Sequence, residues 1–305
     1  MESDFIKSIE FTTAKNENEH YHSLTEYVSS TTLKKFKKSP AHWRYQEIKP
    51  PTDALIFGSA YHCYILEPEM FDSLYYVFND DKICQEIAKA RPDVKNPRQT
   101  GEYRKWKQEY LMKQQGKEAL TEVQMDKIKA MKRVLFKHPF ARSLFKKGIA
   151  EESYYITVTL KDGTEIKVKV RPDYRKPQKR VIVDLKTTID ASTEGFQKQA
   201  AKQDYHISGA LYKDMLDLIY KENHTLFFVA QEKTPPYAFN IFEASPNFIS
   251  QGRYEYEMLL LLWHQCQEEG KFPGYQVWCE NKYGVNELNL PPWWVKEINF
   301  FNHKF

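Results

Sequence analysis

An alternation of apolar and polar side chains marks one segment of the chain most clearly. In residues 181–188 (VIVDLKTT), apolar positions 181, 183 and 185 alternate with Ile182, Asp184 and Lys186. This pattern predicts a β-strand, in which side chains two apart share a face. Asp184 and Lys186 therefore point the same way. A second carboxylate, Asp173, follows the preceding strand, and we expect these charged groups to meet at one end of a short sheet.

Two further alternating runs precede that strand and predict an antiparallel hairpin. The runs 151–160 and 165–170 are separated by Lys161-Asp162-Gly163-Thr164. Asp-Gly between alternating runs is a strong hairpin signal. Antiparallel neighbours would bring Glu152 to the same end of the sheet as the two aspartates, in a register that the pattern leaves open.

Helical periodicity occupies most of the remaining chain. Residues 80–148 are charged and helical apart from a loop at 91–101, and Gly148 is expected to close the last of these helices. The other predicted elements are strands at 226–230 and 238–242 and helices at 33–38, 54–67, 196–218 and 248–266. Helices packed on a mixed sheet make an α/β sandwich, with additional helices near the N-terminus.

Composition indicates a globular chain with a large core. Of the 305 residues, 41% are hydrophobic and 28% are charged, and no linker rich in Gly, Ser or Pro divides them. We therefore expect one domain at residues 21–305 after a flexible polar arm at 1–20. The segment Pro291-Pro292-Trp293-Trp294 is expected to pack back on the body through its tryptophans.

Charge, hydropathy and cysteine content exclude several classes of protein. The net charge of +4 is too mild to indicate a nucleic-acid partner by itself. The start MESDFIKSIE lacks the apolar core of a signal peptide, and no apolar run approaches the length of a membrane span. The four cysteines form no C-x-x-C pair, which argues against a zinc ribbon or an iron–sulfur cluster and favours reduced cytoplasmic thiols.

The candidate chemistry begins with the two aspartates and the lysine. Two carboxylates beside a lysine at a sheet end suit a hard divalent cation and an activated water. An Asp and a Lys on a solvent-facing strand would be harmless, but this strand is otherwise apolar, and buried charges without a partner or function are costly. His62 lies in an apolar helix that Pro68 ends, where a lone histidine is more often a core residue than a ligand.

A short helix near the N-terminus carries a basic rim. Ser29-Ser30-Thr31-Thr32 offers N-cap oxygens to it, and Leu33 and Phe36 face inward. The basic rim consists of Lys34, Lys35, Lys37 and Lys38, with Arg44 nearby. Such a cluster is most often a solvated face, but its N-cap and aromatic neighbours also fit contact with phosphate.

Three stretches of the sequence resemble a known nuclease family. They are YHSLTEYVSSTTLKKFKKSPAHWRY, LIFGSAYHCYILEPEMF and VRPDY…VIVDLKTT…DYHISGALYKDM, which span most of residues 20–220. The order of a Glu, Arg-Pro-Asp and Asp-x-Lys is similar to that of the PD-(D/E)xK nuclease superfamily. Within it, the three stretches together resemble RecE-type exonucleases (exonuclease VIII). The resemblance implies the PD-(D/E)xK fold, a central mixed sheet flanked by helices.

The resemblance also implies a metal site. In RecE-like nucleases, the histidine of a G-x-A-x-H helix and the aspartates of RPD and D-x-K bind the metal. The matching residues here are His62, Asp173 and Asp184, with the backbone carbonyl of Leu185 as a further ligand. Imidazole and carboxylates suit Mg²⁺ or Mn²⁺ with waters completing the shell.

The same resemblance assigns catalytic and DNA-contacting roles. Lys186 would orient or deprotonate the attacking water and offset charge in the transition state. Glu152, or Glu151, matches an acidic residue that often precedes the hairpin, and structural support is its rival role. The positions implied to contact DNA, besides the basic rim, are Arg171, Tyr205, His206 and Tyr212.

One motif departs from the pattern of the relatives. Related nucleases often carry Q-x-x-x-Y on the helix after D-x-K, and the corresponding residues here are Ser208 and Tyr212. The contact with DNA or with the metal-bound water that the glutamine makes in relatives is therefore either absent here or made by another residue, with Gln203 and His206 as the candidates. The departure concerns the contacts with DNA rather than hydrolysis.

The implied function is metal-dependent digestion of linear double-stranded DNA from its 5′ ends, which leaves 3′ single strands for an annealing recombinase. Relatives imply a ring-shaped trimer or tetramer, no membrane association, and a bacterial cytoplasmic setting with a phage gene as one source. The alternatives are a structure-specific or restriction-like endonuclease with the same metal site, and a DNA-binding or assembly protein with a decayed site. Intact His62, Asp173, Asp184 and Lys186 argue against decay.

Overall fold

The computed structural model describes residues 5–15, 18–47, 50–279, 283 and 285–290. The predicted packing of Pro291-Pro292-Trp293-Trp294 lies outside these residues. The strands are β1 (Ile6–Ala14), β2 (Val28–Ser29), β3 (Tyr75–Val77), β4 (Glu118–Leu120), β5 (Ile149–Ala150), β6 (Ser153–Leu160), β7 (Glu165–Val170), β8 (Tyr174–Lys176), β9 (Val181–Thr188), β10 (Thr225–Glu232) and β11 (Phe239–Glu243). The helices are α1 (Asn18–Ser23), α2 (Ser30–Lys38), α3 (Pro40–Arg44), α4 (Asp53–Leu66), α5 (Phe71–Leu74), α6 (Asp81–Ala90), α7 (Gly101–Lys113), α8 (Glu122–Lys137), α9 (Pro139–Leu144), α10 (Thr193–Lys202), α11 (Tyr205–Tyr220) and α12 (Pro246–Glu269).

The predicted hairpin forms the centre of a four-stranded sheet. Strands β6 and β7 pair antiparallel, and the full strand order is β1-β6-β7-β2. Strand β1 was not expected, because residues 1–20 were predicted to be a flexible arm. Instead, β1 pairs antiparallel with β6 from Ile6 to Ala14. Its side chains are mostly exposed, so backbone hydrogen bonds rather than an apolar face hold it, and periodicity could not reveal it.

The strand 181–188 lies at the centre of a separate five-stranded sheet. The strand order is β11-β10-β9-β8-β5, with β9 parallel to β10 and antiparallel to β8. Helices α10 and α11 make the crossover that two adjacent parallel strands require. The sheet is therefore mixed and flanked by helices, which confirms the predicted α/β fold. Asp173 lies in the short link between the two sheets, three residues after the end of β7 and immediately before β8.

The two faces of β9 belong to different hydrophobic cores. Ile182 packs with α11 and α12 in one core, and Val183 and Leu185 pack with α4 and α8 in the other. Asp184 shares the face of Ile182 and is only 3% exposed. The central strand thus carries a charged side chain into a region where desolvation is expensive, as the alternation predicted.

Two predicted helix boundaries differ from those in the structure. The predicted helix at 196–218 is two helices, α10 and α11, separated at Asp204 by a left-handed backbone conformation. Helix α9 ends at Leu144, so Gly148 is not its cap. A Cβ at Gly148 would collide with the Tyr174 ring and the Arg175 carbonyl oxygen, and close packing against β8 explains this glycine.

The charged region 80–148 contains four helices, α6 to α9, and the predicted loop at 91–101 separates α6 from α7. The short strand β4 lies in this region and pairs parallel with β3, which precedes it, and neither strand was predicted. Among the described residues, no helix has the length and hydrophobicity needed to cross a lipid bilayer. The four cysteines are all free thiols.

Candidate active site

Helix α4 brings His62 to the end of the central strand. Thr52 caps the helix by accepting a hydrogen bond from the Leu55 amide. At Gly58 the helix passes close to β9: a Cβ added there would lie 3.8 Å from the Thr187 hydroxyl, an ordinary van der Waals distance. One turn further along the helix, the His62 Nδ1 lies 3.5 Å from the Asp173 Oδ2. The histidine is therefore a component of a charged cluster and not a core residue in an apolar surrounding.

Asp173, Asp184 and Lys186 meet as the alternation predicted. The Lys186 Nζ forms an ion pair with the Asp184 carboxylate and lies 3.9 Å from the Asp173 Oδ2. The backbone amide of Leu185 donates to that same Asp173 oxygen, at 2.8 Å. The backbone of Leu185 also hydrogen-bonds the His62 imidazole. Leu185, predicted to contribute through its carbonyl, thus lies against both His62 and Asp173.

The third carboxylate near His62 and Asp173 belongs to Glu151 and not to Glu152. Oxygen and nitrogen atoms of His62, Glu151 and Asp173 lie within 4.8 Å of one another. Glu152 instead accepts hydrogen bonds from the Tyr154 hydroxyl and from the Arg175 Nη2, the latter at 3.1 Å. The positive φ of 51° at Glu151 turns the chain just before β6. Of the two candidates, the geometry therefore brings Glu151 to His62 and Asp173, whereas Glu152 lies in hydrogen bonds with Tyr154 and Arg175.

Burial controls the protonation of the cluster. It raises the pKa of Asp173 and of Asp184, and burial followed by the charge of Asp173 raises the pKa of Glu151 well above its usual range. Burial and the nearby charge of Lys186 lower the pKa of His62 to about 4. Burial alone would lower the pKa of Lys186, but the charges of Asp184 and Asp173 outweigh it and raise that pKa.

The donor set fits a divalent cation. His62 is neutral at physiological pH, which is the form that binds metal. Asp184 is buried, whereas Glu151 and Asp173 are half-buried. When these three carboxylates are ionised they outnumber the single lysine, and a cation would compensate the excess negative charge. A mixed set of imidazole and carboxylate oxygens suits Mg²⁺ or Mn²⁺. Glu151 joins the predicted ligands His62 and Asp173, whereas Asp184 lies beside them in its ion pair with Lys186.

Helices α2 and α11 close the other side of the cluster. The hydroxyls of Ser30 and Tyr212 are hydrogen-bonded at 3.2 Å, and the Lys34 Nζ donates to the Ser208 Oγ at 3.0 Å. Ser30 and Lys34 are four residues apart on α2, and Ser208 and Tyr212 are four apart on α11. The two hydrogen bonds between these helices are therefore one helical turn apart. The amines of Lys34 and Lys186 lie 5.3 and 5.4 Å from the centroid of the same Tyr205 ring.

The contacts of Ser208 show what occupies the position at which related nucleases carry the glutamine of Q-x-x-x-Y. Ser208 stands at its position but is engaged by Lys34, and burial together with the charge of Lys186 lowers the pKa of Lys34 to about 8. His206 pairs with Glu255, at 3.1 Å between Nε2 and Oε1, and thus belongs to a different cluster. The sequence pattern grouped Lys34 with the other lysines of the basic rim, whereas the structure places its amine near Lys186, against the same Tyr205 ring.

The other lysines of the basic rim differ in whether their amines are already paired with protein groups or exposed to a DNA backbone. Lys37 is held by Asp204 and Glu255, at 2.6 and 2.7 Å. Lys35 and Lys38 are exposed, and Lys35 donates to Gln46. The other two predicted DNA contacts are stacked on aromatic rings. The Arg44 guanidinium lies 5.6 Å from the Phe272 ring centroid, and that of Arg171 lies 4.1 Å from the Tyr21 centroid.

A helix-flanked mixed sheet that presents His, two Asp and Lys at one strand end defines the PD-(D/E)xK class of nuclease-like domains. Residues 29–283 match the family described as a PDDEXK-like domain of unknown function, DUF3799. This match covers most of the chain, which therefore belongs to that family. No curated protein sequence matches the chain.

A crystal structure from Eubacterium rectale has a similar fold. That protein, provisionally designated an exonuclease, is 15% identical in sequence, with a TM-score of 0.55. The similarity covers 91% of this chain and 96% of the other. At this level of identity the comparison shows a shared fold, and the chemistry must be argued from the side chains.

Proposed function

We propose that the protein is a metal-dependent DNA exonuclease that digests linear duplexes from their 5′ ends and leaves 3′ single strands. The observation that carries the proposal is the buried cluster in which His62 and Asp173 lie 3.5 Å apart, with Glu151 beside them and Lys186 against Asp184. Its charge and donor atoms fit a divalent cation and a phosphodiester substrate.

In this mechanism His62, Asp173 and Glu151 would hold Mg²⁺ or Mn²⁺, with Asp184 and the Leu185 carbonyl as further candidate donors. The bound cation supplies Lewis acidity and lowers the pKa of a coordinated water. Lys186 remains protonated, because its two aspartate neighbours raise its pKa. It therefore acts as a charged donor that orients the water and offsets the developing charge on the phosphate oxygens, rather than as the base.

The finer parts of the proposal rest on the resemblance to RecE-type exonucleases. They are the 5′ polarity, a trimeric or tetrameric ring, a single-strand annealing recombinase as partner, and a bacterial cytoplasmic setting with a phage origin for the gene. DNA contacts are assigned to Lys34, Lys35, Lys38, Arg44, Arg171, Tyr205 and Tyr212. Lys37 and His206 are engaged in carboxylate pairs and would contribute only if those pairs opened.

The decisive experiment compares linear and covalently closed duplexes of the same sequence, with Mg²⁺, with Mn²⁺ and with EDTA. Strands labelled at either the 5′ or the 3′ end report the polarity. We expect metal-dependent loss of the linear form alone, starting with the 5′ label. Cutting of the closed circle would instead identify an endonuclease with the same site. Metal-independent DNA binding without cleavage of either form would identify a decayed, DNA-binding relative.

A further inference from the structure

The amine of Lys34 reaches the site from helix α2. Its Nζ donates to the Ser208 hydroxyl, and among the described carboxylates none forms an ion pair with it. Lys37, one turn further along the helix, is held by two carboxylates. An ammonium carries three donors, so a single neutral acceptor leaves Lys34 with unsatisfied capacity in a half-buried position.

The position of this amine is set by the same ring that positions Lys186. The two Nζ atoms lie 5.3 and 5.4 Å from the Tyr205 centroid. Two like charges brought together in a partly desolvated pocket repel each other unless an anion lies between them or nearby. Lys186 forms an ion pair with Asp184, whereas the Lys34 amine donates to Ser208 and lies over the Tyr205 ring. Asp184 and Asp204 favour the charge of Lys34 from a distance, but among the described residues no carboxylate is in ion-pair contact with its amine. An anionic group of a substrate would supply that contact.

We propose that Lys34 is a second phosphate-binding cation of the active site, donating to an unesterified oxygen of the DNA strand that Lys186 also contacts. This inference rests on the proposed function, since it requires a phosphodiester at the cluster. Ser208 orients the Lys34 amine and leaves its remaining donors free. The lysine thereby supplies the polar contact for which related sequences use the glutamine at the Ser208 position.

The test removes the charge and keeps the length of the side chain. Lys34→Met is compared with Lys34→Arg and with Lys202→Met, which removes one exposed lysine from the last turn of α10. Because a hydrogen bond to a charged group contributes about 1.5–3 kcal/mol, Lys34→Met should lower kcat/KM on linear duplex about 10- to 100-fold. Lys34→Arg should recover much of the loss, and Lys202→Met should match the wild type.

A substrate series identifies the phosphate itself. Duplexes carry one neutral methylphosphonate at successive positions around the cleaved bond. If Lys34 contacts a phosphate, one position should impair the wild type and cause no additional loss in Lys34→Met, because the same interaction is removed twice. Strictly additive losses at every position would overturn the inference.

Two further comparisons distinguish phosphate binding by Lys34 from a purely structural role. Ser208→Ala removes the neutral partner of Lys34 but keeps its charge, so the inference expects a smaller loss than in Lys34→Met and retained sensitivity to the methylphosphonate. Equal losses in both variants, with equally lowered melting temperatures, would show that the pair only supports the packing of α2 on α11. If the wild type cleaves no DNA, the proposed function itself fails, whereas normal cleavage by Lys34→Met refutes only the role of Lys34.

Discussion

Replacing His62 tests whether this histidine binds metal or only packs in the core. We consider His62→Gln, which keeps a polar side chain of similar size and removes the titrating ring. As a ligand variant it should lose metal-dependent cleavage by at least about 100-fold. It should also lose the rise in melting temperature that Mg²⁺ or Mn²⁺ gives the wild type, because a ligand that binds only the folded state stabilises it.

The metal-free protein provides a second signature, with a magnitude that follows from the structure. The pKa of His62 falls from 6.5 to about 4 on folding. Between these values the unfolded chain binds a proton that the folded protein does not, so stability decreases as the pH falls, by about 1.4 kcal/mol per pH unit. From about pH 7.5 to about pH 4.5, His62 should therefore remove about 2.5 kcal/mol from the free energy of unfolding.

The assay is urea unfolding of both proteins in EDTA, followed by tryptophan fluorescence at a series of pH values. The buried carboxylates titrate in both proteins, so their contributions largely cancel in the difference between wild type and variant. The variant should be less sensitive to acid by the amount attributed to His62. Parallel pH profiles for the two proteins would refute the assigned burial of a neutral imidazole. A variant that is destabilised but keeps its specific activity and metal response would show that His62 is a packing residue of the core and not a metal ligand.

Four other variants test residues of the metal site, its neighbours and the basic rim. Asp184→Ala should abolish cleavage without loss of the folded circular dichroism spectrum, and normal turnover would contradict the site assignment. Glu151→Gln should raise the metal-free melting temperature most at high pH, because burial and the charge of Asp173 make ionisation of the Glu151 carboxyl group costly, and it should weaken the metal-induced shift. Glu152→Gln should lower the melting temperature, because its arginine and tyrosine partners lose a carboxylate, yet should preserve the metal-induced shift. The double variant Lys35→Ala/Arg44→Ala should reduce the slope of log affinity for duplex DNA against log salt by about 1.8, independently of sequence, and an unchanged slope would show that these side chains are only a solvated face.

Only the tertiary structure decided how distant segments meet. The Lys34 amine and the Ser208 hydroxyl are 174 residues apart in sequence, and no local pattern distinguishes this lysine from its three neighbours on α2. The choice between Glu151 and Glu152 depended on a left-handed backbone conformation before β6. Strand β1 and the glycine at 148 are likewise explained by pairing and close approach between elements, which periodicity does not encode.

The sequence by itself determined the features that depend on short-range physics. Alternation along β9 placed Asp184 and Lys186 on one face, and the Asp-Gly turn joined β6 to β7. A serine from the predicted group of N-cap residues, Ser29, begins α2, although the helix starts at Ser30, three residues before the predicted Leu33. These features follow from the two-residue period of a strand, the positive φ that glycine tolerates in a turn, and the unsatisfied amides at a helix start. Each depends on neighbours within a few residues, whereas the depth of burial that sets the charges of the site depends on the whole packed chain.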